Sequence, residues 1–449
     1  MKIVIIGGVA AGAKVAAKSK RTIGDAEIHI YTQDNYVSYS SCGLPYYIGG
    51  DFEDYNKLIV RTVDEFEKSG INVHIRHRVT KILSNDKKVV VKNLDNGECS
   101  FVEYDKLVIA TGSTPFMPNI INRDLKNVYT VKTLDDGIKV REAMEKAQNI
   151  TIVGGGYIGI ELIEAFVKNN KQVTLVESSP YIMSMMDEDI AVLIQNYILE
   201  NSQGLVKIVT DDLVSEFIGD GVAKGILTAK GSGFETDMVI ICAGVRPVVD
   251  IAMEAGIELG ITGAIKVNSR MRTSKDDIYA CGDCVEKINM ISNMPSWIPL
   301  GSTANKEGRV AAINLCGGVE DFEGILGSSV LRYRGLNISM TGLTEKSAQK
   351  LGYDTVSIVV TKRDKAGYMP EVGNVTLKLI ADRRSHKVLG AQAIGSGDAD
   401  KRINTISVGL IRSMTVEDLL DVDLTYAPPF STSIDILISA ARILKSKLN

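Results

Sequence analysis

The sequence predicts an α/β protein made of two parallel-sheet units followed by a third unit of different pattern. Three observations predict it. A short, wholly apolar run over residues 3–6 leads into a glycine turn, Gly7 to Gly12, and a second run over 150–153, apolar but for Thr151, leads into Gly154-Gly155-Gly156-Tyr157-Ile158-Gly159. From about residue 327 the pattern continues in strands and helices without a turn of that kind. The chain of 449 residues is too long for one core and suggests two to four domains.

In the first unit the glycine turn opens a helix over 13–20, and 26–31 supplies the next strand. In such a strand-turn-helix-strand unit Gly7 permits the tight turn and Gly12 lets helix and strand approach. The amides and dipole at the helix start then face a pyrophosphate. Two positions depart from the dinucleotide fingerprint: the middle glycine is Val9, and the ribose-binding acid is replaced by Thr32. The second unit is complete. Gly154, Gly156 and Gly159 are all present, a helix runs to about residue 168, and the strand over 172–176 closes on Glu177. An acid there bonds both ribose hydroxyls and repels a 2′-phosphate, so this unit favours NADH, with NADPH possible.

The remaining elements follow in order. An apolar strand within 104–113 ends in Ala110-Thr111-Gly112, a similar one lies within 237–244, and another within 273–283 ends in Gly282-Asp283. Beyond 327, strands are expected over 337–342, 355–361, 375–380 and 388–394, with helices over 401–414 and 431–444. Hydrophobic content of 45%, charged content of 24% and a net charge of −4 are ordinary globular values. They give no basic excess for a nucleic-acid partner. No apolar run reaches membrane-span length, and the N-terminal run reads as a strand rather than a signal peptide. Six scattered cysteines fit a reducing, cytoplasmic compartment.

Two dinucleotide units, the Ala-Thr-Gly strand and the late Gly-Asp together resemble the pyridine nucleotide-disulfide oxidoreductases, over essentially the whole chain. The resemblance implies a glutathione-reductase-like architecture of two three-layer dinucleotide domains and a C-terminal α+β dimerisation domain. FAD would bind residues 1–115 and 241–326, NAD(P)H would bind 116–240, and 327–449 would make a homodimer. It also implies that Gly7, Gly12, Thr32, Ala110, Thr111, Gly112, Asp283 and Ala304 serve the FAD, with Asp283 on the ribityl chain. Glu161 matches the family position near nicotinamide and flavin; a helix-surface carboxylate is the competing reading.

The chemistry centres on Ser41-Cys42-Gly43-Leu44-Pro45-Tyr46-Tyr47. A thiol at a helix start feels the positive end of the dipole and is expected to be held as thiolate. The alternative is a small buried hydrophobe. Residue 47 is tyrosine, so no C-x4-C disulfide exists at this motif. The Cys42 segment, Gly-Gly-Val-Ala near the N-terminus, and the segments 366–370 and 424–431 are most similar to the single-cysteine coenzyme A disulfide reductases. That likeness implies that Tyr426 and Tyr368 reach across a dimer to the partner's cysteine, where the alternative is interface packing. It also implies that Lys20, Arg21, Ser38, Arg61, Lys401 and Arg402 gather around coenzyme A, although surface solvation explains most basic residues. A Cys42 sulfenic acid reducing oxygen or peroxide, a Cys42 persulfide, and a redox sensor without rapid turnover are the rival functions.

Cys281 and Cys284 are formally C-x-x-C but coincide with the flavin motif, and Cys99, Cys242 and Cys316 are expected to be structural. His74 and His77 are expected on opposite faces of one strand. No metal site is predicted.

Overall fold

The computed structural model describes residues 1–448. Its first sheet is parallel throughout, in the order Ile278–Ala280, Lys106–Ile109, Lys2–Ile6, Glu27–Tyr31, Ile71–His74. Lys2–Ile6 lies at the centre, paired on both edges, and Ile3, Val4 and Ile5 are fully buried. That environment is why the run carries no polar residue after Lys2. The helix that follows is longer than its sequence pattern, Ala10–Thr22, and packs on the helix Gly301–Leu315. Close approach is possible because Gly308 has no side chain: a Cβ there would come within 2.6 Å of the Ala11 carbonyl oxygen.

The second sheet repeats the plan in the order Val206–Val209, Gln172–Val176, Asn149–Val153, Met238–Ile241, Val128–Thr130, again parallel. The chain leaves the first sheet after Lys106–Ile109, builds the second, and returns with Ile278–Ala280. Both crossings lie side by side, because Ser113–Pro115 pairs antiparallel with Val245–Pro247. The third sheet is antiparallel, in the order Ser329–Tyr333, Leu336–Gly342, Val388–Gly395, Asn374–Asp382, Thr355–Arg363. Every residue of Val388–Gly395 is buried, and Ala399–Ile411 and Ile436–Leu448 share one core with this sheet. The last helix begins five residues later than expected, since 431–435 form irregular backbone in which Asp435 receives an ion pair from Arg402.

Two small antiparallel sheets had no clear sequence signal: His77–Leu83 with Lys88–Asn93 and Cys99–Glu103, and Val214–Gly219 with Ala223–Thr228 and Gly233–Glu235. The first corrects the expectation for the histidines. His74 ends one strand and His77 begins another, with Arg76 at φ 57° between them, so the two rings meet at 5.8 Å. His29 joins them, its Nδ1 3.0 Å from His74 Nε2 and its Nε2 2.8 Å from a Glu27 carboxylate oxygen. Cys99 is likewise exposed at the start of its strand, not a packing residue.

Burial, aided by neighbouring His29 and His77, pushes His74 down to about 4. Below the ordinary imidazole range of about 6.5 the unfolded chain binds a proton that the folded chain refuses, so stability falls as pH drops from about 6.5 to about 4. His74→Gln should flatten that part of the pH profile, measured as thermal midpoint against pH.

Candidate active site

One cavity of about 1140 Å³ runs between the two parallel sheets and on to the third unit. Its walls include Cys42, Ala110, Gly112, Lys132, Gly156, Glu161, Asp283 and Ala304. The first glycine turn is built by contact of backbone on backbone. Gly7 sits at φ 103°, and a Cβ there would lie 2.1 Å from the Ala110 oxygen. A Cβ on Gly12 would lie 1.9 Å from the Gly7 oxygen, so the helix Ala10–Thr22 starts directly over the strand end. Val9 takes the N-cap without a capping side chain. Thr32 is buried at the end of its strand; its N–H donates to the His74 carbonyl and its hydroxyl oxygen accepts the Asp34 N–H at 3.3 Å.

Asp283 follows Gly282, which sits at φ 88°. Ser113 Oγ donates to Asp283 Oδ2 at 2.9 Å, and Lys132 Nζ lies 2.8 Å from Ser113 Oγ and 3.4 Å from Asp283 Oδ2. The turn is held from behind. Gly282 N–H donates to Glu307 Oε2 at 2.7 Å, and buried Lys287 donates to the Gly282 and Val285 carbonyls at 3.0 Å. Thr111 hydroxyl donates to the Val248 carbonyl at 2.7 Å, tying the Ala-Thr-Gly turn to the return crossing. Lys132 escaped the sequence reading. No motif marks it, and only the fold brings it beside Asp283.

The second turn copies the first: a Cβ on Gly154 would lie 2.4 Å from the Cys242 oxygen, and one on Gly159 2.3 Å from the Gly154 oxygen. Gly156 is the N-cap of Tyr157–Lys168. Glu177 accepts the Gly155 N–H at 2.7 Å and the Ser179 N–H at 2.8 Å, which fixes the carboxylate beside the turn.

Cys42 sits in a single 3₁₀ turn, Ser41–Gly43, that leads into the short helix Leu44–Ile48. Its sulfur faces the cavity. The expected thiolate stabilisation is overturned here: partial burial, the Glu161 carboxylate and the Asp283 carboxylate all push the thiol up, and Lys132 offsets them only in part. A five-residue helix supplies too little dipole to reverse this. Glu161 is no surface residue. It lines the cavity, accepts a long hydrogen bond of 3.5 Å from the Tyr46 hydroxyl, and is pushed up to about 7 by burial.

The other assigned residues divide. Ser38, at φ 50°, lines the cavity with Arg21 and Arg61, and the Arg61 guanidinium stacks 4.2 Å over Phe66. Lys20 instead donates to the Ala26 carbonyl at 3.0 Å. Lys401 is exposed and paired with Asp398 at 3.2 Å. Arg402 is buried and spent on Asp435, at 2.9 Å, and on the Asp398 and Asp364 carbonyls, which leaves no free edge for a ligand. Tyr368 and Tyr426 are 77% and 52% exposed, and their loops are joined where Ala366 N–H donates to the Pro428 carbonyl at 3.2 Å.

Residues 1–308 match the pyridine nucleotide-disulphide oxidoreductase family, and 329–437 match the dimerisation domain of that family. The chain belongs to this family. As a pyridine nucleotide-disulphide oxidoreductase it is an FAD-dependent NAD(P)H enzyme, and the first glycine turn, the Asp283 cluster and the cavity between them fit a flavin dinucleotide. Three relatives differ in what they reduce. The chain is 34% identical over 448 residues to the NAD(P)H coenzyme A polysulfide/persulfide reductase of Pyrococcus horikoshii, covering 99% of this chain and 98% of that one. It is 29% identical over 442 residues to the coenzyme A disulfide reductase of Staphylococcus haemolyticus, covering 97% of each. The water-forming NADH oxidase of Lactobacillus brevis, solved bound to NADH, superposes with a TM-score of 0.95 at 29% identity, covering 100% of this chain and 99% of that one.

Glu161→Gln should lower the Cys42 pKa, because it removes the charge that most strongly opposes the thiolate. Alkylation by iodoacetamide, followed against pH, checks it. The difference should open above about pH 7, where Glu161 carries its charge, and vanish below, where the carboxyl is protonated.

Proposed function

We propose that the protein uses NADH to reduce coenzyme A disulfide, or a related small thiol disulfide, through a mixed disulfide at Cys42. One observation carries this reading. From Cys42 the cavity continues past Ser38 along the helix Ala10–Thr22 to Lys14, Arg21 and Arg61, a basic arm suited to a thiol that carries phosphates. In this reading FAD occupies the first turn and NADH the second, with 1–115 and 241–326 forming one domain, 116–240 the inserted one and 327–449 the dimerisation domain. No membrane-crossing helix occurs among the described residues, and a cytoplasmic setting suits a thiol enzyme.

Bound FAD supplies the conversion of a two-electron hydride into electrons for sulfur. The protein supplies the rest. The deprotonated fraction of Cys42 attacks one sulfur of the substrate disulfide, the S–S bond breaks, and one thiolate leaves and takes a proton. Two electrons and a proton then release the second thiol and restore Cys42. Glu161 lines the same cavity as Cys42 and titrates near neutrality, which suits it to hold that proton. Tyr426 and Tyr368 of a second subunit would donate to the leaving thiolate. Their exposure, the joined loops and the matched dimerisation domain support a composite site in a homodimer.

Reduction of oxygen through a sulfenic acid is the second reading, supported by the likeness to the Lactobacillus brevis oxidase. Among the described residues lining the cavity there is no histidine to stabilise that acid.

Intact mass of the oxidised protein separates the readings: an adduct of coenzyme A size on Cys42 supports the first, one added sulfur a persulfide, and one added oxygen the oxidase. No adduct and no NADH consumption with any acceptor would leave a redox sensor. Cys42→Ser should lower disulfide turnover by at least about 10³-fold while NADH still bleaches the flavin. Tyr426→Phe keeps the ring and should lower turnover about tenfold or more. Subunit exchange between these two variants should restore activity, since one site of the mixed dimer holds both Cys42 and Tyr426.

A further inference from the structure

We propose that Asp187 and Lys378 are positioning residues for the nicotinamide dinucleotide, acting through the loop that joins Glu177 to the helix Glu188–Glu200. This rests on the reading that NADH lies on the second glycine turn.

The loop is pinned at three points. At its start Glu177 accepts the Gly155 N–H. In its middle Met183, at φ 54°, donates its N–H to the Gly155 carbonyl at 2.8 Å. Here the packing is tight, since a Cβ on Gly155 would lie 2.8 Å from Ile182, and Met185 lines the cavity 3.6 Å from where a Gly156 Cβ would be. At its end stands Asp187.

Asp187 is the N-cap of the helix Glu188–Glu200, yet its side chain does not cap that helix. It is turned to the third unit instead. Its carboxylate accepts the N–H groups of Glu345 and Lys346 at 3.0 and 3.2 Å and the Gln392 amide at 2.6 Å. Its own N–H donates to Gln392 Oε1 at 2.9 Å. Buried Lys378 completes the cluster, with its ammonium 3.3 Å from Asp187, 2.9 Å from Asp189 and 2.8 Å from Glu345. One cation thus holds three carboxylates from two units, and it is 3% exposed. A capping residue diverted from its own helix to a buried ion cluster fixes where the loop ends. Met185 is two residues from that end. The third unit therefore sets how far this methionine stands from the dinucleotide channel, and the amide and ionic contacts of Asp187 are the lever.

Steady-state kinetics of the flavin-loaded dimer test it. Asp187→Asn weakens the ion cluster, and Lys378→Met removes the cation that the three carboxylates share. Each should raise KM for NADH about tenfold while kcat and KM for the disulfide stay within about twofold. Lys378→Arg keeps the charge and should stay within about threefold of the parent. Asp187→Asn carries the test if Lys378→Met fails to fold. A lowered thermal midpoint with KM for NADH unchanged would make the cluster purely structural, and Lys378→Arg as impaired as Lys378→Met would also overturn the proposal. Glu177→Ala guards the underlying reading: if it leaves KM for NADH unchanged, NADH does not lie on this turn, whereas a raised value there with no effect of Asp187→Asn sinks the clasp alone.

Discussion

Everything in the two parallel units depends on backbone packed against backbone at the start of a helix. In each unit the first glycine lies against the carbonyl of a neighbouring crossover, Ala110 or Cys242, and the last glycine lies against the carbonyl of the first. No side chain fits at those points. The contact brings the helix amides down to the ends of the strands, where the dipole and free N–H groups are suited to a phosphate. The same closeness opens the cavity between the two turns. Cys42, Glu161 and Asp283 are lodged around that cavity by elements from three separate stretches of chain.

The glycine turns were the most legible part of the sequence, because their requirement is local and absolute. Gln172–Val176 agrees with its sequence pattern residue for residue, and four of the five strands of the third sheet shift by only one or two positions, whereas the edge strand Ser329–Tyr333 was not foreseen. The small antiparallel sheets were not legible. Cys99–Glu103 has Phe101 exposed and buries none of its residues, so the alternation that marks a half-buried strand is absent. A turn of two residues between His74 and His77 carried no glycine or proline to announce it.

Within the site, residue identity was readable but electrostatics was not. The motif located Cys42, yet whether its thiol is pushed up or down depends on Glu161 and Asp283, which lie more than a hundred residues away in sequence. Lys132 and the Asp187–Lys378 cluster share that obscurity, since a charged residue acquires meaning only when folding gives it a partner. Arg402 shows the reverse. Its position matched a substrate-binding residue, but the fold commits its guanidinium to Asp435.

The paired crossings Ser113–Pro115 and Val245–Pro247 give the second parallel unit the anatomy of an insert. Its entry and exit are hydrogen-bonded neighbours, so the excursion between them closes on itself, and the sheet on the other side is completed by Ile278–Ala280 whatever the excursion contains. Lengthening, shortening or exchanging such a segment changes the distance between its ends hardly at all. The architecture thus behaves like a socket and cassette in its chain path, yet the cassette also contributes Glu161 to the cavity and shares a core with the helix that follows Cys42, so an exchanged module has to bring those contacts with it.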